Sequence, residues 1–239
     1  MKKRLRALFI DVDDTVFSTT EFSNLARMNA VKAMIEAGLQ VPIDEVLHEL
    51  DEVIREFSSN HERHFDKLIR RFPRDTCGGA NEEILVAAGM VAYHQTKFRN
   101  FSPFEDAISV LQELKGKLKI GIITAGVGIK QAEKIYRLGL HKIVEQNLIY
   151  ITDTVGISKT NPKLFLRACR DAKVDTSEAM YVGDNHPVDV DVPKSIGMRA
   201  ALSRREGKYA AVKGDREPDH IIHNFYDLND ILQHEYDLL

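Results

Sequence analysis

The chain has 239 residues, 44% of them hydrophobic, enough to bury one large α/β core or a core carrying a smaller inserted domain. A formal net charge of −3 with 29% charged residues excludes a protein-wide basic face for nucleic acid and a polybasic membrane-surface protein, so a small anionic substrate has to be attracted locally. Two cysteines, Cys77 and Cys169, lie far apart without C-x-x-C spacing, which excludes a disulfide framework and a zinc knuckle and predicts a reducing, cytoplasmic setting.

The basic start is followed by an apolar run of only Ala7 to Ile10, shorter than the core of a signal peptide. Nowhere does an apolar stretch approach the roughly 20 residues of a membrane span. Abundant Lys, Arg and Glu with no Trp suits the ion-paired surfaces of thermophiles. The run 5–10 predicts a buried strand whose carboxyl end presents Asp11 to Asp14 to a crevice. From about Phe17 to Asn100 the apolar residues take helical periods, as in Leu25, Met28, Val31 and Ile35 closed by Gly38. Further helices run through Val46 to Phe57, Phe65 to Phe72 and Ile84 to Ala92, with Phe57 and Phe65 expected between helices and Cys77 in a solvent loop. Beyond Pro103, a helix through Ala107 and Leu114 leads into a strand over 118–123, and strand and helix then alternate. Strands are predicted at 147–151, 179–182, 199–202 and 219–222, with helices near 129–138, 162–172, 189–196 and 226–233. The predicted fold is α/β, a Rossmann-like doubly wound parallel sheet (1–16 and 101–239) with an inserted all-helical domain (17–100).

Four short stretches fall at the carboxyl ends of predicted strands, where α/β sheets hold their ligands: Asp11-Val-Asp-Asp-Thr15, Thr124-Ala-Gly126, Lys159, and Gly183-Asp-Asn-His-Pro-Val-Asp189. A carboxylate such as Asp11 can attack phosphorus and split one hard step into two easier ones. Clustered, Asp11, Asp13 and Asp184 repel and raise one another's pKa unless a cation sits among them. That predicts a hard divalent ion with oxygen ligands, and Mg²⁺ also bridges phosphate oxygens. Thr124, with Ala125 and Gly126, offers a hydroxyl and open backbone N–H groups just before a helix, a place where anions bind.

In this order the stretches resemble the four motifs of the haloacid dehalogenase superfamily: D-x-D-x-T, a Ser or Thr, a Lys, and G-D-x-x-x-x-D. The helical insertion resembles the C1 cap that subfamily I members carry between motifs one and two. The resemblance implies that Asp11 is the nucleophile and forms an aspartyl phosphate. It implies that Asp11 and Asp184 ligate Mg²⁺ directly, while Asp13 lends its backbone carbonyl and uses its side chain to protonate the leaving alcohol and activate water. Such acid and base work is worth roughly 10²- to 10⁴-fold. It further implies that Thr124, Ala125 and Lys159 bind the phosphoryl group and that Asn185 lies in the outer shell of the metal. Asp189 resembles the acid that orients a metal-bound water or Lys159, with an N-cap for the helix at 189–196 as its other reading.

Asp13 also separates branches of the family, since dehalogenating relatives carry Tyr and phosphonate-cleaving relatives Ala at that place. Thr15 favours a phosphatase over the phosphomutases, which usually show D-G-V. Departures from the family pattern are Asp14 for Gly, Thr160 and Asn161 for Pro-Asp, and Val192-Pro193 for Gly-Ala; His186 is expected to cap its loop. The reading is therefore a Mg²⁺-dependent phosphatase for a small phosphate ester, with a sugar phosphomutase and a phosphoreceiver-type regulator as alternatives. No nucleic acid or membrane partner is expected, and the chain should be a monomer, with a homodimer as the alternative. Similar archaeal-type proteins act on glyceraldehyde 3-phosphate, phosphoglycolate or other small esters, and nothing in the helical segment chooses among these.

Overall fold

A computed structural model describes residues 2–59 and 61–238. The elements in chain order are β1 (Lys3–Leu5), β2 (Ala7–Ile10), α1 (Thr19–Glu36), α2 (Ile43–Phe57), α3 (His64–Ile69), α4 (Glu82–Arg99), α5 (Glu105–Leu114), β3 (Lys119–Thr124), α6 (Gly128–Arg137), β4 (Ile149–Ile151), α7 (Thr152–Val155), α8 (Lys163–Asp171), β5 (Ala179–Gly183), α9 (Asp191–Ser195), β6 (Arg199–Ser203), β7 (His220–Ile222), α10 (Phe225–Glu235) and β8 (Tyr236–Leu238). Six strands form one parallel sheet in the order β4-β3-β2-β5-β6-β7. The sheet is the α/β, doubly wound arrangement that the alternation of elements predicts. Residues 1–20 with 102–239 make one compact unit and residues 21–101 a second.

The centre of the sheet is β2, whose four residues are all buried because strands flank it and helices cover both faces. Register then sets the site. Ile10 stands opposite Ile122 of β3 and Val182 of β5, so Asp11, Thr124 and Asp184 all emerge at one edge within two residues of that row. Asp11 N–H continues the ladder by donating to the Val182 carbonyl at 2.8 Å. The chain runs outward from β2 to β3 and β4, then returns to the other side of β2 as β5. This reversal of winding opens a crevice at the strands' carboxyl ends.

The helical unit buries Val46 and Leu50 of α2 against Met34, Leu39, Leu68 and Leu85. The Asn81 side chain accepts the Ile84 N–H and so caps α4. Two expectations fail here. Cys77 ends a short 3₁₀ turn and is buried in this unit's core, not in a solvent loop. Phe57, the last residue of α2, is 41% exposed with the Lys67 ammonium 3.8 Å from its ring centroid, whereas Phe65 does pack on the core.

In the sheet unit, the predicted first strand breaks at Arg6. Leu5 instead ends β1, which lies mostly ahead of the predicted strand and pairs with β8, a three-residue strand too short to leave a periodic signal. The strand expected at 147–151 starts only at Ile149, after a 3₁₀ turn. The helix expected at 189–196 is a π-turn over His186–Val190 followed by α9, with Pro193 tolerated in the first turn, where an N–H has no helical partner to lose.

Gly121 of β3 is required by packing. A Cβ there would lie 2.7 Å from carbons of the Phe9 ring and 2.8 Å from the Leu148 carbonyl oxygen. Gly121→Ala is expected to destabilise the fold by about 1–3 kcal/mol, the usual cost of overpacking a core. Thermal denaturation checks this, and an unchanged midpoint would show that the sheet gives way freely at β3.

Candidate active site

Asp11 leaves β2 into a cavity of ≈ 230 Å³ that is also lined by Asp13, Ala125, Lys159, Asp184 and Tyr209. Asp11, Asp184 and Asp189 are buried and bring one carboxylate oxygen each within 4.8 Å of one another. Lys159, also buried, places its Nζ 3.1 Å from Asp11 Oδ2 and 2.7 Å from Asp189 Oδ1. Beneath it lies the Tyr181 ring, 5.2 Å from Nζ, whose hydroxyl donates to the Ile123 carbonyl.

One ammonium among three buried carboxylates leaves the charges unequal. Burial works against the Lys159 ammonium, but Asp11 and Asp189 raise its pKa well above the ordinary value, so it stays charged. Burial and the neighbouring acids push Asp11 up to about 6 despite Lys159. Asp184, with no ammonium in contact, is pushed by burial and by Asp11 and Asp189 to about 8. Asp11 Oδ1 is buried without a hydrogen-bond partner. An orphaned carboxylate oxygen in an all-oxygen nest with excess negative charge fits a hard divalent cation. Asp11 and Asp184 are the residues placed to hold it, with Asp189 turned partly to Lys159.

The Asp13 carboxylate belongs to a different set. Thr19 Oγ1 and Lys134 Nζ both donate to its Oδ1, and Gln131 Nε2 donates to Oδ2 at 2.9 Å. Burial alone would raise its pKa, but Lys134 and these hydrogen bonds hold it below the ordinary carboxylate value. The side chain expected with Asp11 and Asp184 is thus replaced in the acid cluster by that of Asp189. The role implied for Asp13 in holding the ion ran through its backbone carbonyl, which these contacts do not involve.

Asp189 sits inside the π-turn and is not the N-cap of a helix. Its Oδ2 accepts the Asn185 N–H at 3.0 Å, filling space beside Gly183 that any Cβ would claim. Asn185 lines the cavity, whereas His186 turns its Nε2 to the Arg216 carbonyl at 2.7 Å. Thr124 is fully buried, its hydroxyl 3.5 Å from Gln131 Oε1. Of the backbone groups expected to be open, Gly126 N–H is taken by Thr152 Oγ1, while Ala125 remains on the cavity wall; further along, Gly128 N–H donates to Asp153 Oδ2. Asn161, in the departure from the family's Lys motif, accepts the Lys163 N–H and so opens α8.

Asp14 adopts φ 51°, the left-handed region where glycine is usual, and its carboxylate accepts Thr20 N–H, Thr20 Oγ1–H and Lys208 N–H. These bonds pin the segment carrying Tyr209 against the first motif. Sequence reasoning missed Thr19, Gln131, Lys134 and Tyr209. Only Gln131 and Lys134, three apart on one helix just after Thr124, carried a signal that could have been read.

Residues 5–197 match the haloacid dehalogenase-like hydrolase family, to which the chain belongs. It is 40% identical over 218 residues to the glyceraldehyde 3-phosphate phosphatase of Methanopyrus kandleri, covering 90% of each chain. To the protein of the same name in Methanocaldococcus jannaschii it is 31% identical, covering 96% of this chain and 97% of that one. In fold it is similar to the crystal structure of an HAD phosphatase from Thermococcus onnurineus, with a TM-score of 0.61 at 23% identity, over 97% of this chain and 99% of that one. The described residues include no helix long and apolar enough to cross a membrane.

Proposed function

We propose that the chain is a Mg²⁺-dependent phosphatase that hydrolyses a small phosphate monoester, in the cytosol, through a phosphorylated Asp11. Glyceraldehyde 3-phosphate, named for its relatives in the two methanogens, is the first ester to test. The observation that carries the reading is Asp11 itself: one oxygen on a buried ammonium, the other buried and unpaired, both at the wall of a cavity floored by acids. An acidic nest repels a phosphate ester unless a cation shares it. Bound between Asp11 and Asp184, Mg²⁺ would supply positive charge for the phosphate oxygens.

An Asp11 oxygen forms a bond to phosphorus as the ester P–O bond breaks, and Asp13 gives its proton to the departing alkoxide. Asp13 then takes a proton from water, whose oxygen attacks phosphorus and releases the Asp11 carboxylate. Lys159 offsets the charge that accumulates on Asp11 and the transferring group. Lys134 and the hydrogen bonds hold Asp13 as a base, which suits the second step; an incoming dianion raises its affinity for the proton that the first step needs. Tyr209 lines the cavity and is placed to contact the ester. Assay of inorganic phosphate release from a panel of small esters with Mg²⁺ tests the function. Isomerisation of a sugar phosphate without net phosphate release would replace it with a phosphomutase, and no turnover of any ester would refute it.

The cation reading has its own check. Asp11 and Asp184 have raised pKa values, so the stability they contribute is complete below about pH 4 and is lost as pH rises through about 6 and then about 8. Mg²⁺ competes with those protons and removes the penalty. At a hundredfold excess over Kd it is expected to add about 2.7 kcal/mol. For a chain of this size that raises Tm by about 5–10 °C. The shift between Mg²⁺ and EDTA should be largest near pH 8 to 9 and fade towards pH 5. A shift that is absent, or independent of pH, would rule out an ion among these carboxylates.

A further inference from the structure

We infer that Lys134, acting with Gln131, is a positioning residue for Asp13: the pair keeps its carboxylate out of the acid cluster and aims one oxygen at the leaving group. The inference rests on the proposed role of Asp13 as acid and base, and assigns a function to two side chains on a helix outside the four motifs.

Both project from α6 at a spacing of three, which puts them on one face. They grip different oxygens of the same carboxylate, Lys134 on Oδ1 and Gln131 on Oδ2, and Thr19 adds a second donor to Oδ1. Gln131 is itself fixed. Its Nε2 also donates to the Ala125 carbonyl at 3.0 Å, and its Oε1 accepts from the Thr124 hydroxyl at 3.5 Å. A Cβ on Gly126, at φ 139°, would press to within 2.8 Å of that Nε2, so the amide lies directly against the loop after β3.

A carboxylate has about four acceptor sites. Donors occupy three, two on Oδ1 and one on Oδ2, and Asp13 reaches the same cavity as Asp11. The remaining site, on Oδ2, is where a proton is passed to or from a ligand. Charge makes the same division. Lys159 serves Asp11 and Asp189, Lys134 serves Asp13, and the two ammonium groups separate a nucleophile and cation set from an acid and base set. Without Lys134, Asp13 keeps only neutral donors, and its carboxylate, two residues from Asp11, is drawn towards whatever cation occupies the cluster.

The contrasting account is an ordinary partly exposed ion pair that adds little to the fold. The two differ in their dependence on the leaving group, because proton donation matters for an alkoxide and hardly at all for nitrophenolate. The experiment measures kcat/KM, which covers steps up to loss of the leaving group, for glycerol phosphate and p-nitrophenyl phosphate with saturating Mg²⁺. Lys134→Met is expected to lower kcat/KM for the alkyl ester by about 10- to 100-fold, part of the full worth of a general acid. For the aryl ester the loss should stay below about threefold, and Lys134→Arg should recover most of the alkyl activity. If the Met variant does not fold, Lys134→Gln carries the same comparison.

Equal losses on the two esters would mark Lys134 as a fold support, and no loss on either would deny it any role; both overturn the inference. Asp13→Asn serves as the reference. It should show the same selectivity for the alkyl ester in stronger form. If it is unselective, the acid role of Asp13 is what fails, and the inference falls with it; if it is selective while Lys134→Met is not, the inference alone is wrong.

Discussion

Asp11→Asn is expected to abolish phosphate release while leaving the protein folded and, without metal at pH 8, at least as stable as the wild type. Loss of a covalent nucleophile removes the step on which the rest of the machinery acts, so the fall in kcat should be about 10⁴-fold or more. The amide has nearly the shape of the carboxylate and keeps the backbone bond to Val182. The sign of the stability change follows from the charges. Burial raises Asp11 to about 6, so above that pH its ionised form is a cost to the folded state, and an amide does not bear it. Lys159 loses one partner but retains Asp189 at 2.7 Å. Phosphate assays and thermal melts in EDTA read the two halves separately. A variant that turns over small esters near the wild-type rate would disprove the aspartyl phosphate; one that is inactive because it is unfolded would contradict the charge argument.

The positions of Asp11, Thr124, Lys159 and Asp184 were legible because they depend on short-range facts. Asp11 and Asp184 directly follow apolar strands and Thr124 ends one, and a parallel sheet brings the carboxyl ends of its strands to one edge, whereas Lys159, beyond α7, was placed only by the order of the motifs. What the order of motifs could not supply is the direction of each side chain. Asp13 is two residues from Asp11 but is turned by donors at positions 19, 131 and 134, the last 121 residues away. Asp189 carries two readings, an orienting acid for Lys159 or a metal-bound water and a helix N-cap, and only the π-turn separates them, since one extra residue in that turn swings it under Gly183 and onto Lys159. Thr124 has the residue type that anions favour, yet its hydroxyl faces Gln131, and two of the N–H groups after β3 are engaged by Thr152 and Asp153. The three-residue strands β1 and β8 gain their stability from each other and have no period to detect.

Removing Lys159 should have the second largest effect, and its stability component should depend on metal. In Lys159→Met a thioether replaces the ammonium that contacts Asp11 and Asp189 above Tyr181. Catalysis is expected to fall by about 10²- to 10³-fold, the scale for losing one preorganised stabiliser of developing charge. Breaking a buried pair costs about 3–5 kcal/mol when the surviving charge stays buried. Here Asp11 can protonate instead, since it already sits near 6 with the lysine present and rises further without it, as does neighbouring Asp184, near 8. The metal-free variant should therefore resemble the wild type near pH 5 and lose stability more steeply as pH climbs. Mg²⁺ can supply the missing positive charge to the same carboxylates, so the Tm gain on adding it at pH 8 should exceed that of the wild type, even though activity does not return. A gain equal to or smaller than that of the wild type would mean that lysine and metal ion do not share the charge of one acidic nest.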